Sequence, residues 1–403
     1  MDMISRDRHH RPGAGARRRG GSAVIVTPWD PASGRAWSGV IPPMVSALRS
    51  ALQEIEVISA HAEPVALADK AACRIAGTAG RLHLPDWSAP TAVPRALRIR
   101  RLIAQFPPGT PVISLAGTPL LAAVPLAYPI IQVTDTSFAA LAAEYPAFQR
   151  LSRLTRAQAT VLEGRVAART ARFAVATEWS RQAVHRDMRV PLSRIQVIPF
   201  GPAIDGRHAS AQLRSERSAP RPWKILLVAS DWERKGGDLA VAAVAELRRR
   251  GHQVRLTVVG GLEPRSLPSW VERTGRLQQA ELSELYRTHH ILLEPARAAA
   301  GGVLITDALS HGLPVLTHAV GGATTLVQDG RTGWVAEPSS SADHLVNVFE
   351  QRVLNADLPA FSAAAVTWAR REASWAAWGT AVAELAASLQ RPCDAGKGGR
   401  EEQ

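Results

Sequence analysis

The chain has 403 residues, 46% of them hydrophobic, which is longer than one ordinary domain and apolar enough for two cores. That composition excludes disorder for the bulk of the sequence. The 48 basic and 35 acidic residues leave a formal charge of +13, which serves as solvating charge or favours polyanions such as nucleotides, acidic glycans and anionic lipid headgroups.

Met1 to Ser22 carries Arg6, Arg8, Arg11 and the run Arg17-Arg18-Arg19 among glycines, and reads as a disordered basic tail. The apolar run from Ala23 to Val26 is too short for a signal peptide and meets Pro28. A strand over Ala23–Thr27, a loop, a helix over Met44–Leu52 and a strand over Glu56–Ser59 follow the grammar of a parallel sheet. The long apolar stretch from Pro111 to Val133 contains Pro119, Pro125 and Pro129. These break a membrane helix and leave a strand, a short helix and a second strand. Further strands are expected at Ile130–Thr134 and Phe173–Thr177, with a helix from Ala157 to Ala171 between them, and a short strand within Pro191–Asp205. Residues 206–222 are polar, rich in Arg, Ser and Pro, and mark a linker.

Alternation restarts with a strand at Lys224–Ala229 and a helix over Asp238–Arg250, whose last turn holds three arginines before Gly251. A strand at Val254–Val259, a helix at Glu281–His289, a strand at Ile291–Leu293, a helix at Val303–His311 and a strand at Val315–Thr317 follow. The expected division is a tail over 1–22, a doubly wound α/β domain over 23–205, the linker, and a second such domain over 223–360. A helical segment over 361–390, able to cross back to the first domain, precedes a loose tail over 391–403. In that segment Trp368, Trp375 and Trp378 are spaced to share one helix face, as a core stripe or a partner surface.

Two loops of the second domain carry possible chemistry. Ser230 to Gly237 follows a strand with Arg234, Lys235 and two glycines, either as a solvated loop or as a site whose cations neutralise a diphosphate. Pro295 to Gly302 runs into a helix, whose N-terminus is a ready anion site. Gly321-Gly322 and the turn Asp329–Gly333 add further glycine loops at strand ends, and together they favour a phosphate-bearing ligand. No DxD pair or histidine spacing suggests a metal, and His289-His290 reads as helix-end charge. Two cysteines, Cys73 and Cys393, form no framework and fit a reducing cytoplasm.

RKGGD at 234–238, GRL at 275–277 with ELSELY at 281–286, GGVLITDALSHGLPVLTHAVGG at 301–322 and VQDGRTGWVAEP at 327–338 resemble glycosyltransferase family 4. The resemblance covers residues 224–350, with looser likeness at Ala36–Gly39, Thr134–Thr136 and Pro199–Gly201. It implies the GT-B fold, two Rossmann-like parallel-sheet domains facing a cleft, and a metal-independent retaining transfer of a hexosyl group without any cofactor. The donor would be a nucleotide-diphosphate sugar and the acceptor a glycan, a lipid-linked saccharide or a small molecule. Carried over by residue, Arg234 and Lys235 hold the diphosphate and stabilise the leaving group, Gly301, Gly302, Val303 and Leu304 supply amides, and Asp307 binds the ribose. Ser230 and Leu277 complete the nucleotide pocket, Gly39 approaches the phosphates, and Asp135 faces the sugar or acceptor. The family's first glutamate falls on Ala299; Glu294 and Glu337 are the acidic candidates to replace it, and neither occupies the motif position. That departure keeps open a non-catalytic binding or partner subunit of the same fold. The charge alone suggests peripheral contact with an anionic membrane, at the inner face for a cytoplasmic protein; a nucleic-acid partner is not expected.

Overall fold

The structure is a computed structural model and describes residues 21–206, 222–261 and 266–390. Most of the basic leader and of the linker, Cys393 and the last tail therefore lie outside the described residues.

The first unit contains β1 (Ala23–Thr27), α1 (Ile41–Ala51), β2 (Ile55–Ser59), α2 (Leu67–Thr78), α3 (Ala89–Ile103), β3 (Val112–Leu115) and β4 (Ile130–Thr134). It continues with α4 (Phe138–Glu144), α5 (Pro146–Gln149), α6 (Arg153–Arg169), β5 (Thr170–Val175), α7 (Glu178–Met188) and β6 (Ile195–Val197). Its six strands are all parallel, in the order β2-β1-β3-β4-β5-β6. β1 and β3 are buried at every residue, as expected for strands covered on both faces.

The second unit contains β7 (Trp223–Ala229), α8 (Gly237–Arg249), β8 (Val254–Gly260), β9 (Val271–Gly275), α9 (Gln279–Thr288), β10 (Ile291–Glu294) and α10 (Val303–Ser310). β11 (Val315–His318), α11 (Ala323–Leu326), β12 (Gly333–Ala336), α12 (Asp343–Val348) and α13 (Leu358–Glu372) complete it, and α14 (Trp375–Gln390) follows, packed on the first unit. The second unit's sheet, also parallel, runs β12-β11-β10-β7-β8-β9. The order reverses between β7 and β10, so a crevice opens there at the carboxyl ends of the strands. The corresponding reversal of the first sheet lies between β1 and β3.

The tryptophan expectation is corrected. The helix breaks at Ala373, whose φ of −125° and ψ of 41° are not helical. Trp368 is therefore buried in the second unit beside Leu309 and Leu313, whereas Trp378 is buried in the first beside Met44 and Leu48. Trp375 packs with Trp378 at 5.7 Å and donates its indole N–H to the Pro202 carbonyl at 2.7 Å. The three rings do not form one stripe because the chain must turn there to return α14 to the first unit. Gly379 permits that docking, since a Cβ would stand 2.8 Å from the Ala47 carbonyl oxygen of α1.

Candidate functional site

The two reversal points face each other across one cavity of about 660 Å³, within the range that holds cofactor-sized ligands. Gly39, Asp135, Ser230, Arg234, Lys235, Gly301, Gly302, Val303, Leu304 and Asp307 all line it. Leu277 does not: it follows the edge strand β9, away from the reversal point, and packs half-buried in the cluster that contains Tyr286 and Leu309. Gln279 and Leu282 of α9 form that wall instead.

Glycine geometry shapes both loops. Gly236, before α8, has φ +66°, and a Cβ there would lie 2.1 Å from the Pro295 carbonyl oxygen. Gly302, before α10, has φ +61°, and its Cβ would meet Leu326 Cδ1 at 2.2 Å. The loops after β7 and β10 are thus pressed together, a closeness only glycine permits. The first turn of α10 presents N–H groups that have no acceptor within the helix, on the cavity wall.

Arg234 Nε donates to Asp231 Oδ2 at 3.1 Å and Nη1 to the Ala298 carbonyl at 3.3 Å, while its guanidinium lies 5.7 Å from the Tyr145 ring centre. Lys235 Nζ donates to Glu294 Oε1 at 2.7 Å. The Glu294 side chain is 2% exposed and its Oε2 is buried without a hydrogen-bond partner. An ammonium has three donors, so this bond leaves Lys235 able to meet an anion in the cavity. Glu294 itself stands behind Lys235 rather than on the cavity wall, and Glu337 is exposed elsewhere. Neither replaces a carboxylate at Ala299, which lines the cavity as an 8% exposed methyl.

Carboxyls nevertheless gather here. Burial pushes Asp135 up to about 6, against the opposing hydrogen bonds of its own amide and the Trp37 indole. A Cβ built on Gly301 would lie 3.2 Å from Asp135 Oδ2, so this acid abuts the second unit's anion loop. Burial likewise raises Asp307 to about 7, opposed by the Ile204 and Ala203 amides and the charge of Lys235. One oxygen of Asp307 accepts from the Ile204 N–H at 3.0 Å, so the carboxylate is partly committed to the connector between units. Glu163, also raised by burial to about 7, accepts from the Phe138 amide at 2.8 Å.

The sequence reading did not find Tyr145, Trp37 or Glu163. The Ala300 amide donates to the Tyr145 hydroxyl at 2.9 Å, and burial pushes that phenol up to about 12. Trp37, at φ +46°, packs edge-on against Phe200 at 5.1 Å. The only available signal was the glycine loop around Trp37; the other two act through packing. Among the described residues, no group of three or more His, Cys, Asp or Glu is placed to hold a metal ion.

Two facing Rossmann-like units with a cleft between them are the GT-B architecture of glycosyltransferases. Residues 223–352 match the family described as glycosyl transferases group 1. The lipopolysaccharide glucosyltransferase WaaG of Escherichia coli (strain K12) is 30% identical over 181 residues, 41% of this chain and 48% of that protein. The chain thus spans about half the length of the curated relatives it matches. Among solved structures, sucrose-phosphate synthase from Thermosynechococcus elongatus superposes with a TM-score of 0.66 at 16% identity, covering 92% of this chain and 99% of that one. Anabaena HepE in complex with UDP gives 0.62 at 13% identity, covering 91% and 100%. These likenesses establish the fold.

Proposed function

We propose that this chain is a glycosyltransferase that moves a hexosyl group from a nucleotide-diphosphate sugar to a hydroxyl acceptor with retention. The observation that carries the reading is the meeting of Arg234, Lys235 and the α10 N-terminus on one cavity wall at the sheet's reversal point. Two cations and a helix dipole neutralise a pyrophosphate and stabilise it as a leaving group when the glycosidic bond breaks. No metal or other cofactor enters this scheme. Asp135, on the opposite wall, is the group in place to touch the sugar or the acceptor hydroxyl. The acceptor, a glycan, a lipid-linked saccharide or a small molecule, enters from the first unit, where Trp87, Phe138, Leu141 and Phe148 line the cavity. Support for a uridine donor comes from Anabaena HepE, solved with UDP and with UDP-glucose.

The test is a thermal-shift screen over nucleoside diphosphates and their sugars, followed by assay of nucleoside diphosphate release with acceptor extracts. A specific donor at about 100 times its Kd should stabilise by about 2.7 kcal/mol. No shift with any nucleotide sugar would refute donor binding. The methyl of Ala299 supports a second reading, a donor-binding partner subunit without turnover. A donor-induced shift without diphosphate release across acceptor extracts would favour it.

A further inference from the structure

The cavity is polarised between the two units. Its cations, Arg234 and Lys235, stand on the loop after β7, whereas the first unit lines it with no Lys, Arg or His among the described residues. The charged side chains on that first-unit wall are Asp135 and Glu163. Glu163 comes from the middle of α6 and is 6% exposed. Its Oε1 accepts from the Phe138 amide at 2.8 Å, at the start of α4. Its Oε2 has no hydrogen-bond partner among the described residues and is not sealed in the core, so it is left to whatever enters the cavity.

The turn between β4 and α4 adds acceptors rather than donors. Thr134 Oγ1 donates to the Thr136 carbonyl at 2.9 Å, Thr136 Oγ1 to the Ser137 carbonyl at 3.2 Å, and Ser137 Oγ to Asp187 Oδ2. All three residues line the cavity, and with their protons committed they offer a ligand lone pairs. Asp187 is in turn paired with Arg186 at 2.7 Å, so the arginine behind this wall is engaged. Beside Glu163, the Phe138 ring lies 4.8 Å from that of Trp87, tilted by 50°, and Phe148 packs on the same cluster.

We propose that this wall is a subsite for an uncharged sugar ring, and that Glu163 selects the acceptor by receiving one of its hydroxyls. The proposal rests on the glycosyltransferase reading and narrows its acceptor. A pyranose carries O–H donors on its rim and C–H groups on its face, which match a free carboxylate oxygen beside aromatic rings. A phosphate or carboxylate on the acceptor is acceptor-only, and would meet two acids and no cation on this wall. An acyl chain would leave the Glu163 oxygen buried against hydrocarbon.

The test is binding, read without turnover. The full chain is titrated to about 5 mM with methyl glucoside, galactoside and mannoside, and with the 6-phosphate of each, by saturation-transfer NMR. A phosphate is counted only where the neutral glycoside displaces it, which keeps the anion loop of the other wall out of the comparison. At least one neutral glycoside should bind, about tenfold or more tighter than its own phosphate. E163Q keeps an oxygen for the Phe138 amide but loses the charge. It should weaken the neutral glycoside about tenfold and narrow its preference over the phosphate. W87A should lose the transfer to the ring C–H protons. A purely structural Glu163 would lower the melting temperature of E163Q and leave that preference unmoved, which overturns the proposal. So does a phosphate that binds as tightly as its parent, or no binding of any neutral glycoside. A thermal shift with UDP is read separately: its absence counts against the donor reading and leaves the glycoside comparison intact.

Discussion

Replacing Lys235 by Met tests the ion pair at the centre of the site. At 2.7 Å the Lys235–Glu294 attraction is about 6 kcal/mol gross with an effective dielectric of 20, most of it offset by desolvation. Removing only the lysine leaves a carboxylate that is 2% exposed, with one oxygen already lacking a partner. Breaking a buried pair in this way costs about 3–5 kcal/mol. For a unit of this size each kcal/mol lowers Tm by about 2–4 °C, so K235M should melt at least about 6 °C lower. K235M/E294L removes both charges and should recover most of that loss, because no ion remains stranded. It should still show no stabilisation by a nucleotide sugar, which separates donor binding from folding. Urea denaturation of the three proteins, with and without donor, is the assay. A K235M protein within about 1 kcal/mol of wild type, or a double variant no better than the single one, refutes the reasoning.

Asp135 is raised from 3.8 to about 6 by burial, so ionising it works against the fold. The cost is absent below its unfolded value and grows as pH rises through 6. D135N should therefore be more stable than wild type at pH 7.5 by on the order of 3 kcal/mol, and equal near pH 4; a pH-independent difference would contradict this. Gly236→Ala forces a side chain into φ +66° and 2.1 Å from a carbonyl oxygen, and should cost more than the ~1–3 kcal/mol of the dihedral alone in a denaturation curve. Trp378→Ala and Trp368→Ala should each cost ~3–5 kcal/mol. Hydrogen exchange should localise the first loss to the β1–β6 unit and the second to the β7–β12 unit, and identical patterns would refute two separate cores. Ala299→Glu places a second carboxylate on the cavity wall with Asp135, where like charge raises proton affinity. The acid limb of its pH–rate profile should move above that of wild type; an unmoved limb would show that the two sites do not interact.

Strands and glycine loops were legible because each is written in a few adjacent residues. Val112–Leu115 and Ile130–Thr134 are apolar runs with clear ends, and the structure has strands with those bounds. The helix α3 was not legible, since APTAVPRALRIRRLI carries Pro90 and Pro94 and only tertiary packing of Ile99 and Ile103 holds it. β9, VERTG, is too polar for its strand to show. The tryptophan stripe failed because spacing assumes an unbroken helix, and Ala373 breaks it. In the site, Arg234, Lys235 and Gly302 could be read from loop chemistry. Tyr145 and Glu163 could not, because only long-range contacts place them: the Ala300 amide on the Tyr145 hydroxyl and the Phe138 amide on Glu163.

The loop from Ala298 to Gly302 has two duties that cannot be independent. It leads into the helix whose N-terminus faces the cavity, and it is also the seam between units. The Ala300 amide bonds Tyr145, and the Ala300 carbonyl accepts from Thr177 Oγ1 at 3.2 Å. A ligand that draws the loop's amides toward its phosphate must compete with Tyr145, a bond that only the closed cleft allows. Anion binding and domain closure therefore share a hydrogen-bond donor, and linkage requires each to change the free energy of the other. The sign depends on whether the anion takes the Ala300 amide or only those of α10. Removing the phenol oxygen with Tyr145→Phe frees that amide without opening the guanidinium contact of Arg234 with the ring. If closure and binding compete, the variant binds nucleoside diphosphate more tightly; if closure assists binding, more weakly. Unchanged affinity would place the two duties of the loop on separate atoms.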